Sequence, residues 1–183
     1  MLVVILKLLI PMSDWILKNL EAMIAGLAFL FSAVVFARTE KFNRKILRET
    51  IRTNYTTALF EIDKKLIECP ELWAIYDQNV SGIQKVDTPS EKGKRIALLY
   101  LHFNLFESVY TTYNNVLRKL NKADREFWET WRNYIQEFIE GSSEARELFY
   151  NPSFQLVYRE SYKNFIKSII EEFEEKQRLA TNA

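Results

Sequence analysis

The sequence predicts an all-α protein, with an N-terminal transmembrane helix that continues into a cytosolic antiparallel bundle of about four long and two short helices. Three observations lead there. Only four glycines and four prolines punctuate 183 residues. Apolar positions recur at three- and four-residue spacing, and no segment reads as a strand. Finally, Ala22 to Ala37 (AMIAGLAFLFSAVVFA) carries no charge and is followed directly by Arg38, Lys41, Arg44, Lys45 and Arg48.

Extended back to Trp15, the apolar stretch covers 23 residues. At about 1.5 Å per residue it spans a hydrocarbon core of roughly 30 Å with some tilt. Lys18 and Glu21 interrupt its first two turns, three apart on one face, where they can pair. Lys18 can also run its alkyl stem toward the headgroups, and Trp15 is the residue type of that interface. Between Arg38 and Arg48 five basic residues face one acidic residue, Glu40, whereas Met1 to Trp15 carries only Lys7 and Asp14. By the positive-inside rule the C-terminal domain lies in the cytoplasm, and the basic flank suits the anionic headgroups of that leaflet. A cleaved signal peptide, ending at Val35 and Ala37, is opposed by the lack of a basic start and by the acidic residue near the centre of the leader. A buried helix of a soluble bundle would leave the one-sided basic flank unexplained. Residues 1–14 open with a separate apolar segment, MLVVILKLLIPM, too short to span before Pro11. It is expected to lie in the interface or to extend the anchor beyond a proline kink.

Arg38 to Ala183 provides 146 residues, enough for one domain with its own core. The bundle is placed at residues 38–178 and a frayed tail at 179–183. Of 25 basic and 24 acidic residues in the chain, two of each precede Arg38, which leaves 23 against 22 and no basic excess of the kind nucleic-acid binding uses. The single cysteine, Cys69, excludes an internal disulfide and a CxxC site.

The first cytosolic helix is expected to run from the anchor to about Glu68, with Leu47, Ile51, Tyr55, Leu59, Ile62 and Leu66 along one stripe. Pro70 ends it, because proline disfavours helix at the residue before it. A short helix over Glu71 to Gln78 and a loop over Asn79 to Asp87 follow. Thr88-Pro89-Ser90-Glu91 is a helix start, with Thr88 as N-cap and Glu91 closing a capping box. The helix it opens places Leu99, Phe103, Phe106, Tyr110, Tyr113, Leu117 and Leu120 on one face, with Ile96, Leu98, Leu101, Leu105 and Val109 on others, so it should be contacted from several sides. The next helix, about Lys122 to Glu140, sets Phe127, Trp131, Tyr134 and Phe138 on one side and ends at Gly141, expected as a left-handed cap. A short helix reaches Tyr150. Asn151-Pro152 then restarts the chain, and Phe154, Tyr158, Tyr162, Phe165, Ile169 and Phe173 define one last long helix.

Little in this chain specifies a reaction. It has one histidine, His102, and no Glu-x-x-His pair, so a metal site is not expected. Glycine-rich phosphate loops, Gly-x-Ser-x-Gly and supported Cys-His arrangements are absent, and no cofactor is expected. Glu171-Glu172 and Glu174-Glu175 read as a solvated face. The aromatic stripe reads as core, and an aromatic-lined groove that senses a small molecule is a second alternative function, to be decided by the exposure of Trp15, Trp73, Trp128 and Trp131. The first alternative is enzymatic. Arg95 and His102 stand seven apart in RIALLYLH, which loosely resembles the Arg-x(4 to 6)-His motif of HEPN-type ribonucleases, also all-α. That resemblance implies a paired His and Arg acting on a 2′-hydroxyl and phosphate across a dimer cleft, and it requires both side chains to be exposed. Ile96 replaces the polar residue that commonly follows the motif arginine.

A second resemblance covers more of the chain. An N-terminal anchor, a basic juxtamembrane helix, Cys69-Pro70-Glu71-Leu72-Trp73, the phrase Phe103-Asn104-Leu105-Phe106-Glu107-Ser108-Val109-Tyr110, Trp128-Glu129-Thr130-Trp131 and a closing aromatic helix together resemble a widespread family of small bacterial and archaeal membrane-anchored helical proteins, known only as a domain of unknown function. The similarity runs over roughly Leu27 to Ile170 and implies a fold and a location but no reaction. Within it, Glu107 is charged yet flanked by Phe103, Phe106 and Tyr110, so Asn104, Glu107 and Tyr110 are expected to form a buried polar network that fixes helix register. The function expected is a protein interaction or scaffold module, with a protein partner and a homo-oligomer as candidate partners.

Overall fold

The structure, a computed structural model, describes the backbone of residues 2–78, 88–115 and 122–181, with side chains from residue 18 onward except 115. The expected loop over Asn79 to Asp87 and the positions Leu117 and Leu120 lie outside the described residues. The all-α expectation holds: seven helical elements follow one another, six α-helices and one short 3-10 helix, among the described residues. The chain divides into two compact units, Met1–Thr53 and Asn54–Ala183.

The described residues of the first unit are all helical, as part of α1 (Leu2–Glu68). The helix passes Pro11 without a break, so the N-terminal apolar segment continues into the same helix. From Lys18 the helix is long and apolar enough to cross a membrane, and none of its apolar window is buried. Lys18 and Glu21 are exposed and form no ion pair with each other among the described residues. Glu40 instead pairs with Arg44, and Leu47, assigned to the packed stripe, is half-exposed.

The second unit has its own core. It begins on α1, where Tyr55, Leu59, Ile62 and Leu66 pack inward, the last two almost wholly buried. Cys69 ends α1, and Pro70–Ile75 forms a 3-10 helix, shorter and tighter than the α-helix expected to Gln78. Helix α2 (Pro89–Asn115) is the central element. The Thr88 hydroxyl accepts from the Glu91 N–H at 3.2 Å, while the Glu91 carboxylate turns to Lys94 instead of completing the capping box. Leu98, Leu99, Phe103, Leu105, Phe106 and Val109 are buried on several sides of α2, and Leu101 is not.

Helix α3 (Lys122–Glu140) buries Trp131, Ile135, Phe138 and Ile139. Gly141 departs from the expected left-handed cap: it continues the helical pattern, its N–H bonding the Glu137 carbonyl at 2.9 Å. The end of α3 is closed by Arg146, whose Nη1 donates to the carbonyls of Ile139 and Glu140, each at 2.7 Å, so a cation meets the negative end of the helix. Helices α4 (Ser143–Phe149) and α5 (Pro152–Val157) are capped by Ser142 and Asn151. The last long helix is broken. Tyr158 is extended (ψ 152°), and α6 starts at Glu160 and runs to Thr181, beyond the expected start of the frayed tail. The break lets Phe154, Tyr158 and Tyr162 all reach the core, where Phe154 meets Phe103 edge-on at 4.6 Å.

Candidate functional site

Helix α2 carries all the chemistry-bearing residues singled out in the sequence, and each of its flanks borders a depression. The first lies against α1. Asn54, Tyr55, Ala58, Glu61, Ile62 and Lys65 line one wall, and Leu101, Asn104, Leu105 and Ser108 the other, around a volume of about 550 Å³. Ala58 stands midway along that face of α1, half-buried against the core. Its floor is apolar. Glu61 and Lys65 edge the α1 side, Asn104 and Ser108 the α2 side. Tyr55 closes one end, its hydroxyl donating to the Ser108 carbonyl at 2.8 Å and sitting 2.5 Å from the Thr112 hydroxyl.

The second depression, about 520 Å³, is polar and lined by Lys92, Arg95, Ile96, Leu99, Glu144, Glu147, Leu148 and Asn151. At its base the Arg95 Nε donates to both carboxylate oxygens of Glu144, at 3.1 and 3.2 Å. Arg95 is only 2% exposed. The pair joins α2 to α4 across 49 residues of sequence, and burial without that carboxylate would be costly.

Arg95 and His102 do not form the solvent-facing pair that the ribonuclease alternative requires. His102 is 0% exposed, stacked on Phe138 at 4.3 Å and edge-on to Phe106. Its Nδ1 lies 2.9 Å from the Leu98 carbonyl, and its Nε2 has no hydrogen-bond partner among the described residues. Burial pushes the imidazole down to about 4, against which the Leu98 bond acts only weakly, so the ring is neutral at physiological pH. A neutral ring sealed between aromatic neighbours has no access to a substrate proton.

The expected buried network of Asn104, Glu107 and Tyr110 is also revised. Asn104 is exposed and Glu107 half-buried. Instead of bonding to one another, they reach the α5–α6 break: Tyr158 donates to Asn104 Oδ1 at 2.7 Å, and the Arg159 N–H donates to Glu107 Oε1 at 3.1 Å. Glu107 thus satisfies a backbone donor at the start of α6, where a carboxylate also complements the helix dipole. Tyr110 stacks on Phe165 at 5.0 Å.

Of the tryptophans, Trp131 is buried and Trp73 and Trp128 half-buried, all in the aromatic core, with Trp128 stacked on Tyr113 at 4.1 Å; the side chain of Trp15 lies outside the described residues. Lys18, Arg38, Lys41, Arg44 and Lys45 are exposed on α1, and Arg48 is half-buried. No cluster of His, Cys, Asp or Glu able to hold a metal ion occurs among the described residues.

Two groups were missed in the sequence. Glu144 carries no local signal as the partner of Arg95. A corner formed by Asp77, Ser142, Ser143 and Arg146 was not anticipated either. Asp77 accepts from the Ser143 N–H at 2.9 Å and from Arg146 at 3.1 Å, while the buried Ser142 hydroxyl bonds the Ile75 carbonyl. Burial pushes the Asp77 carboxyl up, but the Ser143 and Arg146 bonds outweigh it and hold the carboxyl below its ordinary range.

Comparison of the chain with protein-family models, curated proteins and solved structures finds no match.

Proposed function

We propose that the chain is a single-pass membrane-anchored interaction module, with its helical bundle in the cytoplasm and its basic juxtamembrane residues against anionic headgroups. The unburied apolar window of α1 and the basic residues that follow it support the location.

The groove between α1 and α2 is the single observation that carries the interaction reading. It is about 16 Å long by helical rise from Asn54 to Lys65. An apolar floor with a carboxylate and an ammonium one turn apart on its rim suits an amphipathic helix of a partner protein, apolar residues down and opposite charges toward Glu61 and Lys65. Tyr55 is the one aromatic ring in the lining, so the groove lacks the ring-lined character that the small-molecule alternative called for.

The test compares the full-length chain with its Leu101→Asp variant, both isolated from membranes of the native host in detergent. Leu101 is half-exposed on the groove wall, so the variant can fold while placing a charge on the apolar floor. A protein co-purifying with the wild type and lost with the variant is expected. Identical partners for both, or a bound small molecule in place of a protein, would sink the interaction reading; release of the chain from membranes by alkaline carbonate would sink the anchor.

A further inference from the structure

Along the last four turns of α1 within the second unit, Ile62 and Leu66 face the core, yet Phe60 and Ile67 are 66% and 74% exposed. Among the described residues these two large apolar side chains do not line the α1–α2 groove and are not packed against the core cluster. They stand seven residues apart, so on an α-helix they lie within about 20° of one another and about 10 Å apart along the axis. This is the spacing at which one helix meets an identical, parallel neighbour. Asp63 and Lys64 lie about 50° to either side of the line joining them. Both are exposed. Asp63 has no ion pair among the described residues, and Lys64 only a 3.9 Å approach to Glu68.

We infer that Phe60 and Ile67 form a contact between two copies of this chain, with the α1 helices parallel about a two-fold axis. Charge complementarity selects the occupant. In a parallel two-fold pair the left flank of each helix faces the right flank of the other, so Lys64 of one copy meets Asp63 of the second, and the reverse. An antiparallel pair would set Asp63 against Asp63 and Lys64 against Lys64. Parallel alignment follows from the anchoring reading, on which this inference rests, because two copies held by the same end of the same helix enter the cytoplasm the same way up. Two apolar residues per copy are far less than a dimer free in solution needs. Confinement to a membrane raises the effective concentration of the second copy, and a small contact then suffices.

Disulfide cross-linking of the full-length protein in intact membranes tests this. With Cys69→Ser as background, single substitutions Phe60→Cys, Ile67→Cys, Ala58→Cys and Lys65→Cys are oxidised with copper phenanthroline, and the fraction of chain at dimer mass is scored. The expected result is efficient dimer formation from positions 60 and 67, at least about tenfold above positions 58 and 65, which lie on the groove side of the helix. In the Phe60→Cys background, Asp63→Lys alone should lower the cross-linked fraction about fivefold, and Asp63→Lys with Lys64→Asp should restore it. Equal cross-linking at all four positions, none at 60 and 67, a product with a different protein, or failure of the charge exchange to rescue would each overturn the inference. The same membranes report anchoring separately, since a chain that sediments with membranes but fails to cross-link refutes the pairing and leaves the anchor standing.

Discussion

The two flanks of α2 solve the same problem in opposite ways. Facing α4, a guanidinium is taken out of water and matched by the Glu144 carboxylate. Facing α1, there is no buried charge. Ile62, Leu66 and the Tyr55 hydroxyl hold that helix through apolar packing and one hydrogen bond. The polar flank therefore favours the arrangement of α2 and α4 that keeps both Arg95–Glu144 hydrogen bonds. An apolar flank can change volume at little cost, and that tolerance is what a binding groove needs.

Breaking the polar flank should give the largest effect. Arg95→Met takes away the buried guanidinium that meets the Glu144 carboxylate and is expected to cost about 3–5 kcal/mol in denaturant unfolding of the full-length protein. Replacing both partners, Arg95→Met with Glu144→Leu, should recover most of that loss, since the pair itself sets register more than it adds net stability. If the double variant is as unstable as the single one, the polar flank contributes stability and not only geometry. Ala58→Leu on the other flank should change stability by less than about 1 kcal/mol while filling the groove.

The next effect lies between the flanks, at His102. Its imidazole has a folded-state pKa of about 4, against about 6.5 when solvated. Between these values the unfolded chain takes up a proton that the native state refuses. The stability due to the neutral ring is whole above about pH 6.5, falls as pH drops through that window and has lost about 3 kcal/mol once pH is below about 4. His102→Phe should flatten this part of the profile and, by removing the unpartnered Nε2, leave the protein at least as stable at pH 7. The loss from Asp77 belongs to a lower range. Its carboxyl is held below its ordinary value, so it stabilises above about pH 4 and releases that stability as pH falls through its folded pKa.

Both flanks show why the fold was legible in the sequence and the site was not. Helical period, Pro70, Thr88-Pro89 and Asn151-Pro152 are local signals, and α1, α2, α3 and the α5 start follow them. The α5–α6 break has no Gly or Pro to announce it. It arises from Glu107 and Asn104, some fifty residues away, which satisfy Arg159 and Tyr158 and make the extended backbone affordable. Gly141 misled for the same reason, because the carbonyls it was expected to help close are bonded by Arg146. Arg95 and His102 were correctly singled out as unusual residues on an apolar helix. Seven-residue spacing places two side chains on one face but says nothing about what covers them, and here Glu144 covers one and Phe138 the other. The groove was invisible, since its two walls come from helices far apart in sequence and it depends on how they pack.

A further, small effect sharpens the apolar flank. Tyr55 closes one end of the groove through its hydroxyl, which reaches the Ser108 carbonyl and the Thr112 side chain. Its ring also meets Trp131 edge-on at 6.1 Å, so the side chain joins α1 to both α2 and α3. Tyr55→Phe keeps the ring contact and removes only the hydrogen bonds. A half-buried neutral bond of this kind contributes about 1 kcal/mol, and the carbonyl it leaves already serves as an acceptor within α2, so the loss in denaturant unfolding should not exceed about 1.5 kcal/mol. The more telling readout is hydrogen exchange. If the hydroxyl pins this end of α1 against α2, amides near Tyr55 should exchange faster in the variant, while those near Leu66, buried at the other end, keep their protection. Uniform acceleration along α1 would mean that the groove has no fixed end, and that its width is set by the core residues Ile62 and Leu66 alone.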